Sequence, residues 1–155
     1  MILNDSAEKL FDCSLIEEIQ PDNEFPVWVK TDPFGREYYG VSHFWGLDKS
    51  IEAESDLSWL EWDGNEVNID STNTDDSMLL FRKTVGIIKS WQAQFADKYP
   101  NERFAILASF DDGSDLVEDS DPCIGFTLRF WKIRDGQGFD VNAESSQPLI
   151  KWIIE

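Results

Sequence analysis

The sequence predicts an α+β fold: a mostly antiparallel sheet of short hairpins packed against one long helix, with short N-terminal helices. Apolar residues recur at steps of three and four between about residues 77 and 99, which is typical of an amphipathic helix. Elsewhere, short runs alternate apolar and polar residues and are separated by Pro, Gly, Asn and Asp, without a strand–helix–strand rhythm. The 155 residues are expected to form a single domain, residues 1–155.

The long helix is predicted from about Ser77 to Tyr99 and ends before Pro100. Asp75 and Asp76 precede its positive N-terminal end. Gly86 disfavours a helix, so we expect it to allow the close approach of a strand. The residues expected to face the core are Phe81, Val85, Ile88, Trp91 (or Gln92), Phe95 and Tyr99.

Two strands, Arg103–Phe110 and Cys123–Ile133, are predicted to form the centre of the sheet, because apolar residues alternate along both. The acidic loop Asp111–Asp121 joins them. Phe139–Asn142 is expected to pair back onto the second strand. Leu149–Ile154 is predicted to form a last strand or a short helix.

The N-terminal part begins with one or two short amphipathic helices within residues 5–20. Val27–Lys30 and Glu37–Phe44 are predicted to form a hairpin, since Asp32, Pro33 and Gly35 favour a turn between them.

A second hairpin is predicted from Leu57–Trp62 and Val67–Asp70, with its turn at residues 63–65. On such a strand, Trp59 and Trp62 would point to opposite faces. One of them would lie in the core and the other could anchor a partner. For either Trp alone, burial in the core is the more common outcome.

The charge of the chain is strongly negative and unevenly distributed. The net charge is −18, yet 41% of the residues are apolar and seven are Trp, which is unlike a disordered acidic chain. Residues 47–76 have a net charge of −9 and residues 111–121 of −6, whereas residues 77–110 have +3. Nucleic acids and anionic membranes would be repelled, so a basic protein is the expected partner.

An acidic run is usually a solvated surface, but two such runs in so small a chain favour a binding face. The two runs must lie near each other in space if they form one face. The residues predicted to bind the partner are Asp111, Asp112, Asp115, Glu118, Asp119, Asp121, Asp56, Trp59, Glu61 and Asp63.

No catalytic pattern is present, and we expect the protein not to be an enzyme. His43 is the single histidine, no G-x-S-x-G motif occurs, and neither Cys13 nor Cys123 has a catalytic context. Neither acidic run fits an EF-hand loop, so no metal or cofactor is predicted, and calcium binding is the less favoured alternative.

The sequence contains no pattern of a signal peptide and no apolar run of about 18 residues, so a cytoplasmic protein is expected. Cys13 and Cys123 are accordingly predicted to be buried thiols rather than a disulfide.

Residues 90–112 (SWQAQFADKYPNERFAILASFDD) and 125–141 (GFTLRFWKIRDGQGFDV) have a helix, strand, loop and aromatic strand in that order. In this order, and in its small size and acidity, the chain resembles immunity proteins of bacterial polymorphic-toxin and contact-dependent inhibition systems. The resemblance covers about the C-terminal half. It implies a cognate toxin domain, often a basic nuclease, bound at or beside its active site.

The function predicted from the sequence is therefore an immunity protein that neutralises a basic toxin domain through an acidic, aromatic-containing face. An acidic secretion chaperone that binds an effector segment is the alternative. A third class is an enzyme that uses carboxylates with a divalent metal.

Overall fold

The helices and strands of the protein come from a computed structural model, which describes residues 1–41, 51–114, 123–137 and 148–154. The elements are β1 (Ile2–Leu3), α1 (Asp5–Leu10), a 3₁₀ helix (Cys13–Glu18), β2 (Trp28–Thr31), β3 (Glu37–Gly40), α2 (Leu57–Gly64), β4 (Val67–Ser71), a 3₁₀ turn (Thr74–Asp76), α3 (Ser77–Lys98), β5 (Phe104–Asp111), β6 (Ile124–Lys132) and β7 (Leu149–Ile154).

The strands form a five-stranded sheet in the order β1-β7-β5-β6-β4 and a separate two-stranded sheet of β2 and β3. Every described strand pair is antiparallel. This architecture confirms the predicted α+β class. It also confirms the central position of β5 and β6 and the short N-terminal helices. Leu149–Ile154, predicted to be either a strand or a short helix, is a strand. Phe139–Asn142 lies outside the described residues.

Helix α3 covers one face of the large sheet, as predicted. Near its C-terminal end the Phe95 ring stacks on Phe104, with centroids 3.8 Å apart. Near its N-terminal end, the centroids of the Phe81 and Phe126 rings are 6.4 Å apart. The N-terminal end of α3 therefore lies over the end of β5 and the beginning of β6.

The opposite side of α3 is covered by the segment that leads to β2. The Gly86 carbonyl accepts a hydrogen bond from the Asp22 N–H at 2.9 Å. A Cβ atom at Gly86 would lie 3.0 Å from the Gln20 carbonyl oxygen. Gly86 does allow a close approach, but the approaching segment is this loop and not a strand, so that part of the prediction is wrong.

The predicted strand Leu57–Trp62 is wrong, because this segment is helix α2. The Asp56 carboxylate caps the helix by accepting a hydrogen bond from the Trp59 N–H at 2.8 Å. The buried residues of α2 are Leu57, Ser58, Glu61 and Gly64, which follow a helical and not an alternating period. The following strand β4 pairs with β6, and none of the described residues before it forms a hairpin with it.

The positions of the two Trp side chains differ from the prediction for the same reason. Trp59 and Trp62 are three residues apart on a helix, so they lie on one side, with ring centroids 6.5 Å apart. Trp59 is 43% exposed, and Trp62 is half-buried. Neither Trp belongs to the core.

The predicted hairpin around residues 32–35 is confirmed by the pairing of β2 with β3. The buried Asp32 carboxylate accepts hydrogen bonds from the N–H groups of Phe34 and Arg36 and from the Arg36 side chain. Gly35 adopts a φ of 81°, which a residue with a side chain rarely adopts. Strand β3 ends at Gly40, and residues 42–44 of the predicted strand lie outside the described residues.

Candidate protein-binding surface

Asp70 and Asp111 lie on the same face of the sheet, on either side of Gly125. The strand register pairs Asp70 of β4 with Gly125 of β6, and Gly125 with Asp111 of β5. Directly paired residues point to the same face, and this face is turned away from α3. Two strand spacings put the Cα atoms of Asp70 and Asp111 about 10 Å apart.

A side chain at Gly125 would not fit between these two carboxylates. A Cβ atom at this position would lie 2.5 Å from the Ile69 carbonyl oxygen and 2.8 Å from the Asp70 Cα. The glycine therefore allows β4 to lie close to β6, and it leaves the space between Asp70 and Asp111 without a side chain.

Asp111 and Asp112 are oriented by the turn that follows β5. The Asp111 carboxylate accepts a hydrogen bond from the Gly113 N–H at 2.8 Å. The Asp112 carboxylate accepts one from the Ser114 N–H at 2.9 Å. The Ser114 hydroxyl and then its N–H lower the pKa of Asp112. Both side chains are exposed, so they present fixed negative charge to solvent.

The junction between β4 and α3 brings two more carboxylates to the same end of the sheet. Asp75 is exposed. Asp76, which is half-buried, accepts hydrogen bonds from the Ser71 hydroxyl at 2.7 Å and from the Asn73 amide at 3.4 Å. The positive N-terminal end of α3 starts here and favours nearby acids. We call Asp70, Asp75, Asp76, Asp111 and Asp112 the acidic end.

The charge of the acidic end is not compensated by the described part of the chain. Five ion pairs form among the described residues, and their acids are Asp32, Glu24, Glu66, Glu102 and Glu61. Two bases of α3, Lys83 and Lys89, bind other groups. Lys83 pairs with Glu24, and Lys89 donates to the carbonyl groups of Ile16 and Ile19.

Asp56, Trp59 and Glu61, at the beginning of α2, lie near the other end of β6. The Ser58 hydroxyl donates to the Lys132 carbonyl at 2.6 Å, and Glu61 accepts from the Lys132 N–H at 2.7 Å. Seven residues of extended strand separate Lys132 from Gly125, which is about 24 Å. Asp56 and Trp59 are therefore not brought together with Asp111 and Asp112. The part of residues 47–76 that lies near Asp111 and Asp112 is instead Asp70, Asp75 and Asp76.

Glu61 is not an exposed acid, because its side chain is fully buried. Arg134 binds its carboxylate with two nitrogens, at 2.7 and 2.9 Å. The N–H groups of Tyr39 and Lys132 also donate to it. Burial raises the pKa of Glu61, while Arg134 and the two N–H groups act in the opposite direction. Glu61 joins α2 to β3 and β6, which is a structural role.

Trp59 and Trp62 form a partly exposed aromatic pair on α2. The guanidinium carbon of Arg129 lies 4.0 Å from the centre of the Trp62 ring. Arg129 also donates to the Trp62 carbonyl at 3.0 Å and pairs with Glu66. Trp59 has the exposure that an interface anchor needs, and its role in binding stays a prediction.

Several predicted residues lie outside the described residues. They are Asp115, Glu118, Asp119 and Asp121. The single histidine, His43, which was not predicted to belong to the site, also lies outside them. Conversely, Asp70, Asp75 and Asp76 are not among the residues predicted to bind the partner. The charge of residues 47–76 pointed to them, but only the pairing of β4 with β6 brings them to Asp111.

Both cysteines are free thiols, Cys13 half-buried and Cys123 exposed, so the prediction that both are buried is wrong. Burial, together with nearby Glu8 and Asp12, raises the pKa of Cys13. Within the described ranges, no cluster of three or more His, Cys, Asp or Glu side chains is arranged to hold a metal ion. In those same ranges, no helix has both the length and the apolar surface to cross a membrane.

No known protein family, no curated protein and no solved structure matches this chain.

Proposed function

We propose that this protein is a non-enzymatic inhibitor that binds a basic protein through its acidic end. Following the resemblance to immunity proteins, the proposed partner is the cognate toxin domain, with a nuclease as the best-fitting toxin class. The observation that carries the proposal is the alignment of Asp70, Gly125 and Asp111 across three strands, with Asp75 and Asp112 at the same end.

The rigidity of the acidic end supports binding rather than mere solubility. The Asp111 and Asp112 carboxylates are each held by a hydrogen bond from the turn, and the Asp70 backbone lies in strand β4. Carboxylates that are already ordered lose little conformational entropy when a partner binds. A merely solvating surface would not require this order.

The carboxylates of the acidic end are not neutralised by bases of the described residues, which supports a positively charged partner. Asp70, Asp75, Asp111 and Asp112 form no ion pair with the described residues. Such a surface attracts a cationic cleft and can raise the association rate constant towards about 10⁸–10⁹ M⁻¹s⁻¹ at low salt. Against a nuclease, carboxylates would occupy the places that nucleic acid phosphates otherwise take.

The proposal is tested with the protein encoded by the gene immediately upstream, which is the expected toxin. The two proteins are co-purified and then titrated against each other by calorimetry at about 50 to 500 mM NaCl. We expect a stable complex whose affinity falls steeply with salt, because the contacts are between opposite charges. No complex, or a complex whose affinity does not change with salt, would contradict the proposal.

A further inference from the structure

The outer edge of β4, the terminal strand of the large sheet, has backbone groups that point away from the sheet. We propose that this edge binds an extended, basic segment of the partner as an added antiparallel or parallel strand. The inference rests on the proposed function, because it takes the partner to be basic, and it specifies how that partner binds.

The direction of the β4 backbone follows from hydrogen bonds further along β6. The Lys132 N–H donates to Glu61, and the Lys132 carbonyl accepts from the Ser58 hydroxyl. The Phe130 carbonyl accepts from the Asn65 amide at 3.2 Å. These α2 side chains lie on the side of β6 opposite β5. The even-numbered residues of β6 therefore direct their backbone groups towards β4.

The other strands are consistent with this alternation. The Ile133 N–H donates to the Arg103 carbonyl, so the odd-numbered residues of β6 direct their backbone groups towards β5. The Phe110 N–H donates to the Pro148 carbonyl, so the even-numbered residues of β5 direct theirs towards β7. Backbone groups of successive strand residues point to opposite sides, and the pattern is continuous across the sheet.

Three residues of β4 are paired with even-numbered residues of β6, and their backbone groups therefore form hydrogen bonds with β6. The pairs are Val67 with Leu128, Ile69 with Phe126 and Ser71 with Ile124.

The N–H and C=O groups of Asn68 and Asp70 then point outwards. No further strand follows β4 among the described residues. Within the same residues, no group outside the sheet forms a hydrogen bond with the backbone of Asn68 or Asp70.

The outward edge is accessible and has a polar face. Asn68 and Asp70 are exposed, whereas the alternating Val67 and Ile69 are buried against the α3 side. The Asn68 side chain is fixed, because it donates to Glu66 at 3.0 Å and accepts from the Thr127 hydroxyl at 3.0 Å. An extended segment could pair with Asn68 and Asp70 without rearrangement of β4.

Charge selects the occupant of this edge. The exposed face beside it includes Asp70 and, across Gly125, Asp111. A second copy of the chain would bring another net charge of −18 to the same place, and like charges on neighbouring strands destabilise pairing. A segment with Lys or Arg at alternate positions would instead place cations beside Asp70, while its backbone binds Asn68 and Asp70.

The first test uses proline, which removes one outward N–H. Proline is tolerated in edge strands where the N–H faces solvent. Asn68→Pro is compared with Asn68→Ala, which loses the same side chain and retains the N–H. Folding of each variant is verified by its urea midpoint, and affinity for the upstream gene product is measured.

Val29→Pro in β2 is the control on a second outward edge. The Tyr39 N–H in β3 donates to Glu61, and the Tyr39 carbonyl accepts from the Asn65 amide, so the backbone groups of Tyr39 point towards α2. The backbone groups of Val29, which is paired with Tyr39, therefore point away from β3. We expect Asn68→Pro to bind at least tenfold more weakly than Asn68→Ala, and Val29→Pro to bind like the wild type.

The second test does not depend on the upstream gene product or on a variant. The probe is the synthetic peptide Lys-Val-Lys-Val-Lys-Val-Lys, and the control is its counterpart with Glu in place of Lys. Amide hydrogen exchange is followed by NMR in the wild-type protein. We expect the basic peptide to slow exchange at Asn68 and Asp70 at least tenfold, with no change at Val29.

The outcomes separate this inference from the proposed function. Salt-sensitive binding of the upstream gene product with equal affinities for Asn68→Pro and Asn68→Ala would overturn the edge and leave the function intact. Failure of the basic peptide to bind, or binding without slower exchange at Asn68 and Asp70, would also overturn the edge. Slower exchange with the peptide, but no complex with the gene product, would support the edge and contradict the proposed function.

Discussion

Arg134 holds the buried carboxylate of Glu61 with both terminal nitrogens, Nη1 at 2.9 Å from Oε2 and Nη2 at 2.7 Å from Oε1. The same carboxylate accepts from the N–H groups of Tyr39 and Lys132. This ion pair therefore joins the small sheet, α2 and the large sheet in one set of contacts. It makes Glu61 a residue of the fold rather than of the surface.

Arg134→Met should destabilise the protein strongly, because it leaves the Glu61 carboxylate buried without its counter-ion. The expected loss in the free energy of unfolding is about 3–5 kcal/mol, measured by urea denaturation near pH 7. Arg82→Met, at an exposed base of α3, is the control and should change the free energy by less than about 0.5 kcal/mol. Similar losses in both variants would argue against the role given to Arg134.

The destabilisation by Arg134→Met should depend on pH. Burial raises the pKa of Glu61, and the variant lacks the guanidinium that opposes this effect. A carboxyl group whose pKa is higher in the folded state than in the unfolded state destabilises the fold when it is ionised. The difference from the wild type should therefore shrink as the pH falls towards the ordinary Glu pKa, about 4.3. A difference that is constant over this range would contradict the prediction.

Asp32 should make the hairpin of β2 and β3 sensitive to acid. Burial raises the pKa of Asp32, but hydrogen bonds from Arg36 and from the Phe34 N–H outweigh this effect, so the pKa is lowered. The stabilisation is present above the unfolded-state pKa, about 3.9, and is lost as the pH falls through the folded-state pKa.

Asp32→Asn keeps an oxygen for the backbone N–H groups and removes the charge that pairs with Arg36. Its urea midpoint should be lower than that of the wild type at pH 6, and the two midpoints should converge as the pH falls through the lowered folded-state pKa of Asp32. Equal midpoints at pH 6 would show that the charge of Asp32 does not stabilise the hairpin.

Gly125→Ala should separate β4 from β6 and disturb the acidic end. The new Cβ would meet backbone atoms, the Ile69 carbonyl oxygen at 2.5 Å and the Asp70 Cα at 2.8 Å, which cannot move independently of the strand. We expect a loss of about 1–3 kcal/mol in the free energy of unfolding and weaker binding of the upstream gene product. Ser109→Ala, on the same face of β5, should have little effect on either quantity.

The sequence predicts the parts of the fold that have a clear period. Phe81, Val85, Ile88, Trp91 and Phe95 mark the buried face of α3, and all five are buried. Alternation identifies β5 and β6 because one face of each strand is covered by α3. Composition and period together are sufficient for the α+β class.

The sequence does not predict α2, because its buried face includes polar residues. Ser58 and Glu61 are buried through hydrogen bonds with Lys132 and Arg134, and these partners are more than 70 residues away in the chain. Local alternation of Leu57, Trp59 and Glu61 therefore suggested a strand. Nor could the register be predicted, and it is the register that places Asp70 beside Asp111.

Binding through the acidic end is tested by titrating two triple variants with the upstream gene product at about 100 mM NaCl. One variant is Asp70→Asn, Asp111→Asn and Asp112→Asn, which keeps the side-chain acceptors that hold the turn. The other is Asp56→Asn, Asp63→Asn and Asp97→Asn, which removes the same charge from exposed or half-buried positions of α2 and α3. Inhibition through the acidic end predicts at least a hundredfold weaker binding for the first variant and less than a fivefold change for the second. Equal losses in both would show that net charge alone attracts the partner, and a larger loss in the second would contradict the proposed site.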